Sequence, residues 1–105
     1  MNDKSLEGKV AVITGGSRGI GMTLARRFAE AGAAVAICSR TAVEIEQVAS
    51  EINIQGGTAL PIQADILVEN DVQRFARTVL DKFSSVDVLI NNAGGNVRYS
   101  HDSLI

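Results

Sequence analysis

Eight consecutive residues of this chain, Thr14-Gly15-Gly16-Ser17-Arg18-Gly19-Ile20-Gly21, have the composition of a phosphate cradle. Glycines at 15, 19 and 21 let the backbone turn sharply out of a strand. They also keep side chains away from an approaching pyrophosphate and let a following helix pack close to a sheet. A helix that starts here presents unpaired N–H groups and the positive end of its dipole to the phosphates. The bland alternative is a glycine-rich turn with no ligand. The spacing GxxxGxG, set between an apolar run and an amphipathic one, favours the ligand. Other reactive side chains do not assemble. His101 lies beside Asp102 and near Ser100 and Ser103, but neighbours along a tail do not hold the geometry of a hydrolytic triad. One histidine and one cysteine, Cys38, far apart in sequence, make no metal site.

The elements around the glycine turn follow from the hydrophobic pattern. Val10-Ala11-Val12-Ile13 reads as a strand buried on both faces. Ile20, Leu24, Phe28 and Ala31 recur at helical spacing and predict an inward face, with Gly32 at the C-cap. Val35 to Cys38 is a second buried strand. A helix from about Thr41 follows, where Thr41 and Glu44 fit a capping box and Ile45, Val48, Ala49 and Ile52 face inward. Gly56-Gly57 ends it. Ala59 to Ile62 is a third strand, and its Pro61 lacks the N–H that a central ladder requires, so this strand belongs at an edge. Val72, Phe75, Ala76, Val79, Leu80 and Phe83 mark a third helix, with Glu69 and Asp71 at its positive end and Leu67 where a hydroxyl cap is common. Val86 to Ile90 is the fourth strand.

The order βαβαβαβ with short connections predicts an α/β fold: a Rossmann-type, doubly wound parallel sheet of four strands with three helices. Pro61 selects the strand order 3-2-1-4, which leaves the third strand at an edge. The flavodoxin-like order would bury it.

Composition agrees. At 105 residues, 46% hydrophobic and 21% charged, the chain resembles an ordinary soluble globular domain, or a piece of one. A net charge of −2 argues against general nucleic-acid binding. The lack of a long apolar run argues against a membrane span. A single cysteine and no apolar leader point to a reducing, cytoplasmic setting.

Three motifs carry a resemblance to a known family. Thr14 to Gly21 resembles the TGxxxGxG fingerprint of the short-chain dehydrogenase/reductases, and Asn91-Asn92-Ala93-Gly94 resembles their NNAG motif after the fourth strand. Asp65 matches the acidic residue that family members set against the adenine amino group. The resemblance runs from about Leu6 to Gly95. It implies a partial dinucleotide-binding domain over residues 1–95, with 96–105 an unassigned tail. It further implies that Gly15, Ser17, Arg18, Gly19, Ile20, Gly21, Asp65, Ile66, Asn92, Ala93 and Gly94 line the cofactor. Asp65 has a second reading, as a cap for the following helix. Asn91 and Asn92, which donate and accept, suit a role tying the fourth strand to the glycine turn, and Thr14 suits the same role.

The end of the second strand bears on which dinucleotide is held. An NAD site there usually has an acid for the ribose 2′-hydroxyl. Here Ser39 and Arg40 stand in its place, with no carboxylate before Glu44. An arginine fork and a hydroxyl suit a 2′-phosphate, which a carboxylate would repel. Arg18 approaches from the glycine loop, the paired basic pattern of NADP-preferring members. NADP(H) is expected over NAD(H).

In that family a tyrosine and a lysine in a YxxxK motif perform the chemistry, beyond NNAG. Only eleven residues follow Gly94 here, Tyr99 is followed four positions on by Ser103, and no lysine follows Lys82. No catalytic residue is therefore assigned. The chain is expected to be the cofactor half of an oxidoreductase, truncated relative to the family and inactive alone. It is also expected to be marginal or self-associating through the exposed edge of its fourth strand. The alternative is a non-catalytic nucleotide-binding or interaction module that pairs through that edge.

Overall fold

The apolar run at the start forms strand β1 (Val10–Thr14), with every residue buried. The computed structural model describes residues 4–15 and 19–91. After β1 come α1 (Gly19–Glu30), β2 (Ala34–Ser39), α2 (Ala42–Ile54), β3 (Thr58–Gln63), α3 (Glu69–Phe83) and β4 (Val88–Asn91). The strands are all parallel, in the order β3-β2-β1-β4. This is the doubly wound, Rossmann-type arrangement, with Pro61 on the edge strand as its missing N–H requires. No described helix is long and apolar enough to cross a membrane.

Crossover handedness sets the two faces. Stepping outward from β1 to β2 to β3 through right-handed crossovers puts α1 and α2 on one face, and returning past β1 to β4 puts α3 on the other. The cores follow. Ala11, Ile13, Val35 and Ile37 pack with Ala25 and Ala29 of α1 and Ile45, Val48, Ala49 and Ile52 of α2. The alternate residues Val10, Val12, Ala36 and Cys38 pack with Ile62, Phe75 and Val79.

Four local expectations are corrected. The stripe of α1 that is fully buried is Gly21, Ala25 and Ala29, while Ile20 is 68% exposed and Leu24 and Phe28 are half-buried. Small side chains bring the helix close to the sheet, so the larger ones are displaced to the flanks of the contact. Thr41 occupies the N-cap of α2 without a capping side-chain bond, and its own N–H donates to Ser39 Oγ at 3.1 Å. The N-cap of α3 is Val68, not Leu67, and it too lacks a side-chain cap. The fourth strand begins at Val88, two residues later than its apolar run, because Asp87 bonds to Val10 through both backbone and side chain. Its N–H donates to the Val10 carbonyl, and its carboxylate accepts from the Val10 N–H, each at 2.8 Å.

Connections are held by backbone geometry and side-chain amides. Both α1 and α2 end in a left-handed glycine with paired closing bonds. Gly32 donates to Ala29 and Ala33 to Phe28; Gly56 donates to Asn53 and Gly57 to Ile52. Asn53 then bridges to β3, accepting from the Ala59 N–H at 2.8 Å and donating to its carbonyl at 3.1 Å. Arg26 of α1 pairs with Glu51 of α2.

Gly32 has no substitute here. Its φ is +102°, and a Cβ would lie 3.0 Å from the Glu7 backbone. Gly32→Ala is expected to cost about 1–3 kcal/mol through left-handed strain and crowding. Urea unfolding of the two proteins checks this, and an unchanged midpoint refutes it.

Candidate functional site

Because all four strands are parallel, their C-terminal ends share one edge of the sheet. Register fixes the juxtaposition: Thr14 pairs with Cys38 on one side and with Asn91 on the other, and Ser39 pairs with Gln63. Ligands of open α/β sheets bind at this edge, where the strand order reverses, which here is between β1 and β4.

The chain leaves β1 at Gly15, whose φ is +72° and whose N–H donates to the Cys38 carbonyl at 2.7 Å. That bond draws the turn across β2 and requires a left-handed backbone. Gly19, at the first position of α1, also has positive φ (+53°), and a Cβ there would meet no described atom within 4 Å. Gly21 is buried within the contact stripe of α1, and Ile20 stands exposed beside it. Ser17 and Arg18 lie outside the described residues, as do Asn92, Ala93 and Gly94.

Thr14 is buried, and its hydroxyl donates to Asn91 Oδ1 at 2.9 Å. This is the tie between the first and fourth strands that the residue types suggested. At the end of β2, Ser39 is half-buried, its hydroxyl accepting from the Thr41 N–H, and Arg40 is exposed. Gln63 donates its side-chain amide to the Arg40 carbonyl at 3.0 Å.

Beyond β3, Asp65 is the hub of a tight turn. Its Oδ1 accepts from the Leu67 N–H at 2.9 Å and its carbonyl accepts from Val68. The carboxylate thus closes the turn that leads towards α3 without bonding to the helix itself, whose N-cap is Val68. Ile66 is half-buried against the core that α3 covers. Asp71, in the first turn of α3, reaches back and accepts from the Asp65 N–H at 2.9 Å. Arg74 donates to the Gln63 carbonyl at 2.8 Å and lies 3.6 Å from Asp71. Gln63 and Arg74 were not legible as site residues. Asp71 carried a signal, an acid at the third helical position, but its target lies outside the helix.

Underneath sits Cys38, fully buried, with its thiol directed at the Ala64 carbonyl. Burial pushes the thiol from 9.0 up to about 11. Arg74 opposes that rise, and Asp71 and Asp65 add to it. The thiol is therefore neutral at physiological pH and chemically quiet. Among the described residues, no group of histidine, cysteine and carboxylate side chains could hold a metal ion.

The fold and its glycine turn define a Rossmann-type α/β protein. The chain belongs to the short-chain dehydrogenase family, whose model matches residues 9–104. It is 41% identical over 101 residues to the fatty acyl-CoA reductase of Acinetobacter baylyi, covering 95% of this chain and 34% of that protein. Its structure is similar to a metagenomic short-chain oxidoreductase in complex with NADP, with TM-score 0.81, 41% identity, and coverage of 86% of this chain and 41% of that one. It is also similar to a 3-ketoacyl-(acyl-carrier-protein) reductase from Brucella melitensis complexed with NADH. There the TM-score is 0.76 and the identity 48%, over 81% of this chain and 34% of that one. The chain spans about a third of the length of the curated relatives it matches.

The Cys38 thiol gives the fold a pH dependence of definite sign. Its folded value is raised, so its contribution to stability is complete below pH 9. It is lost as pH rises towards about 11, where the unfolded chain ionises first. Between pH 8 and pH 11 the wild type should lose on the order of 2–3 kcal/mol more than Cys38→Ala. Denaturant unfolding at both pH values measures the difference, and equal losses refute it.

Proposed function

We propose that this chain is the NADP(H)-binding portion of a short-chain dehydrogenase/reductase. The single observation that carries this reading is the convergence of three features on one sheet edge. These are the left-handed glycine turn after β1, the acid-free Ser39-Arg40 end of β2, and Asp65 after β3. The residues suit the group. Positive φ at Gly15 and Gly19, with no described atom within 4 Å of a Cβ at Gly19, suits a pyrophosphate set against the first turn of α1. Asp65 would face the adenine amine, with Ile66 beside it. Arg40 and Ser39 would hold the 2′-phosphate, with Arg18 from the glycine loop, and Asn92, Ala93 and Gly94 would line the nicotinamide side. When bound, the dinucleotide supplies a transferable hydride. The whole protein would exchange it with a carbonyl or alcohol in a cytoplasmic setting.

The cofactor preference rests on Arg40, since solved neighbours include complexes with NADP and one with NADH. A charge-assisted fork to phosphate distinguishes the two by about tenfold or more. These 105 residues contain no YxxxK, so the chain is assigned binding and positioning only.

Titration of the purified chain, followed by nicotinamide fluorescence, should show NADPH binding at least about tenfold tighter than NADH. Arg40→Ala should remove most of that difference while leaving NADH affinity within about twofold. The same samples should oxidise no NADPH over a panel of ketones. Preference for NADH, or turnover, overturns the assignment.

A second reading has its own observation. On the described residues nothing pairs with the outer edge of β4, and Leu89 of that strand is 53% exposed. Such an edge recruits strands. The chain is expected to self-associate in sedimentation velocity, and Leu89→Lys should shift it towards monomer. A wild type that sediments as monomer at all concentrations refutes this.

A further inference from the structure

Two loops that carry the adenosine-facing residues, the one after β2 and the one after β3, are joined by a chain of polar contacts that dinucleotide binding itself does not require. It begins at the Arg40 carbonyl, which accepts from the side-chain amide of Gln63 at 3.0 Å. The Gln63 carbonyl accepts from Arg74 at 2.8 Å, Arg74 lies 3.6 Å from the Asp71 carboxylate, and that carboxylate accepts from the Asp65 N–H at 2.9 Å. Every link but Gln63 to Arg40 touches α3. The helix thus holds the loop after β3 directly and the loop after β2 only through Gln63.

We infer that Gln63, Asp71 and Arg74 are positioning residues that hold Arg40 and Asp65 at a fixed separation, and that Gln63 in particular sets the preference for a 2′-phosphate. The inference rests on the NADP(H) reading of this edge and adds to it the residues that make the edge selective. None of the three needs to touch the cofactor. Arg40 is exposed and its side chain is long, so its guanidinium is aimed by its backbone. The backbone is held at its carbonyl by Gln63. Asp65 is held at its N–H by Asp71 while its own carboxylate grips Leu67. Loosening the first loop should therefore affect only a ligand that uses Arg40. Loosening the second should affect any adenine dinucleotide.

The experiment uses the 105-residue chain with NADPH and NADH as probes, titrated by nicotinamide fluorescence. Gln63→Met keeps side-chain length at an exposed edge position and removes the amide, and with it the donor to the Arg40 carbonyl. It should raise the NADPH dissociation constant about 3- to 10-fold, the span of one net hydrogen bond, and that of NADH less than about twofold. Asp71→Ala should raise both by a similar factor. Arg74→Lys, which keeps the charge but not the fork, should fall between wild type and Arg74→Ala. Circular dichroism melts confirm that each variant folds, and Gln63→Ala serves if Gln63→Met does not. A purely structural role would move both cofactors together in every variant. Wild-type preference for NADPH with no split in Gln63→Met overturns this inference alone, and binding of neither cofactor by wild type overturns it together with the reading beneath it.

Discussion

Strand β1 is hydrogen-bonded on both sides and buried on both faces, and nearly every other feature is measured from it. Val10 to Thr14 sets the register of β2 and of β4 together. The reversal of direction that separates α3 from α1 and α2 takes place across it. A strand so confined has no sideways freedom, so the next residue must turn out of the sheet at once. Gly15 does so with its N–H on the Cys38 carbonyl. The Thr14 hydroxyl fixes the neighbouring strand end through Asn91. The glycine turn thus leaves from the strand that is paired on both sides and buried along its whole length.

Architecture was legible in the sequence because it depends on residue types that few structures tolerate elsewhere. A run such as Val10-Ala11-Val12-Ile13 has no polar face, so it had to be central, and Pro61 could not be. The face of α2 was read correctly since Ile45, Val48, Ala49 and Ile52 are all both apolar and buried. In α1 the same reasoning selected Ile20, Leu24 and Phe28, one step round the helix from the buried stripe. Hydropathy weights large side chains, whereas the closest helix–sheet contact is made by Gly21, Ala25 and Ala29. The late start of β4 was hidden because Asp87 substitutes a carboxylate for a strand contact, which no pattern of apolar residues records.

The site divided along the same line. Glycines and a carboxylate at strand ends were visible as types at particular spacings, and the structure brings Gly15, Ser39, Arg40 and Asp65 to one edge. Gln63, Asp71 and Arg74 were invisible as a group because they act through backbone carbonyls and N–H groups of distant loops. Such partners depend on the fold and leave no mark on composition. Asp71 shows how one residue carries two readings: it suits the helix dipole, and it also anchors the turn at Asp65.

The side-chain amide of Asn53 has a wider meaning than joining α2 to β3. By engaging both N–H and carbonyl of Ala59, it occupies the place that a neighbouring strand would take on the outer margin of the sheet. Two residues along, on the same margin, Pro61 has no N–H to offer. Two further along, the carbonyl of Gln63 is already taken by Arg74. The outward margin of β3 is thus obstructed at Ala59, Pro61 and Gln63, while β4 carries no comparable guard among the described residues. Among the described residues, then, the two margins of the sheet differ: that of β3 is engaged by side chains and a proline, and that of β4 is not.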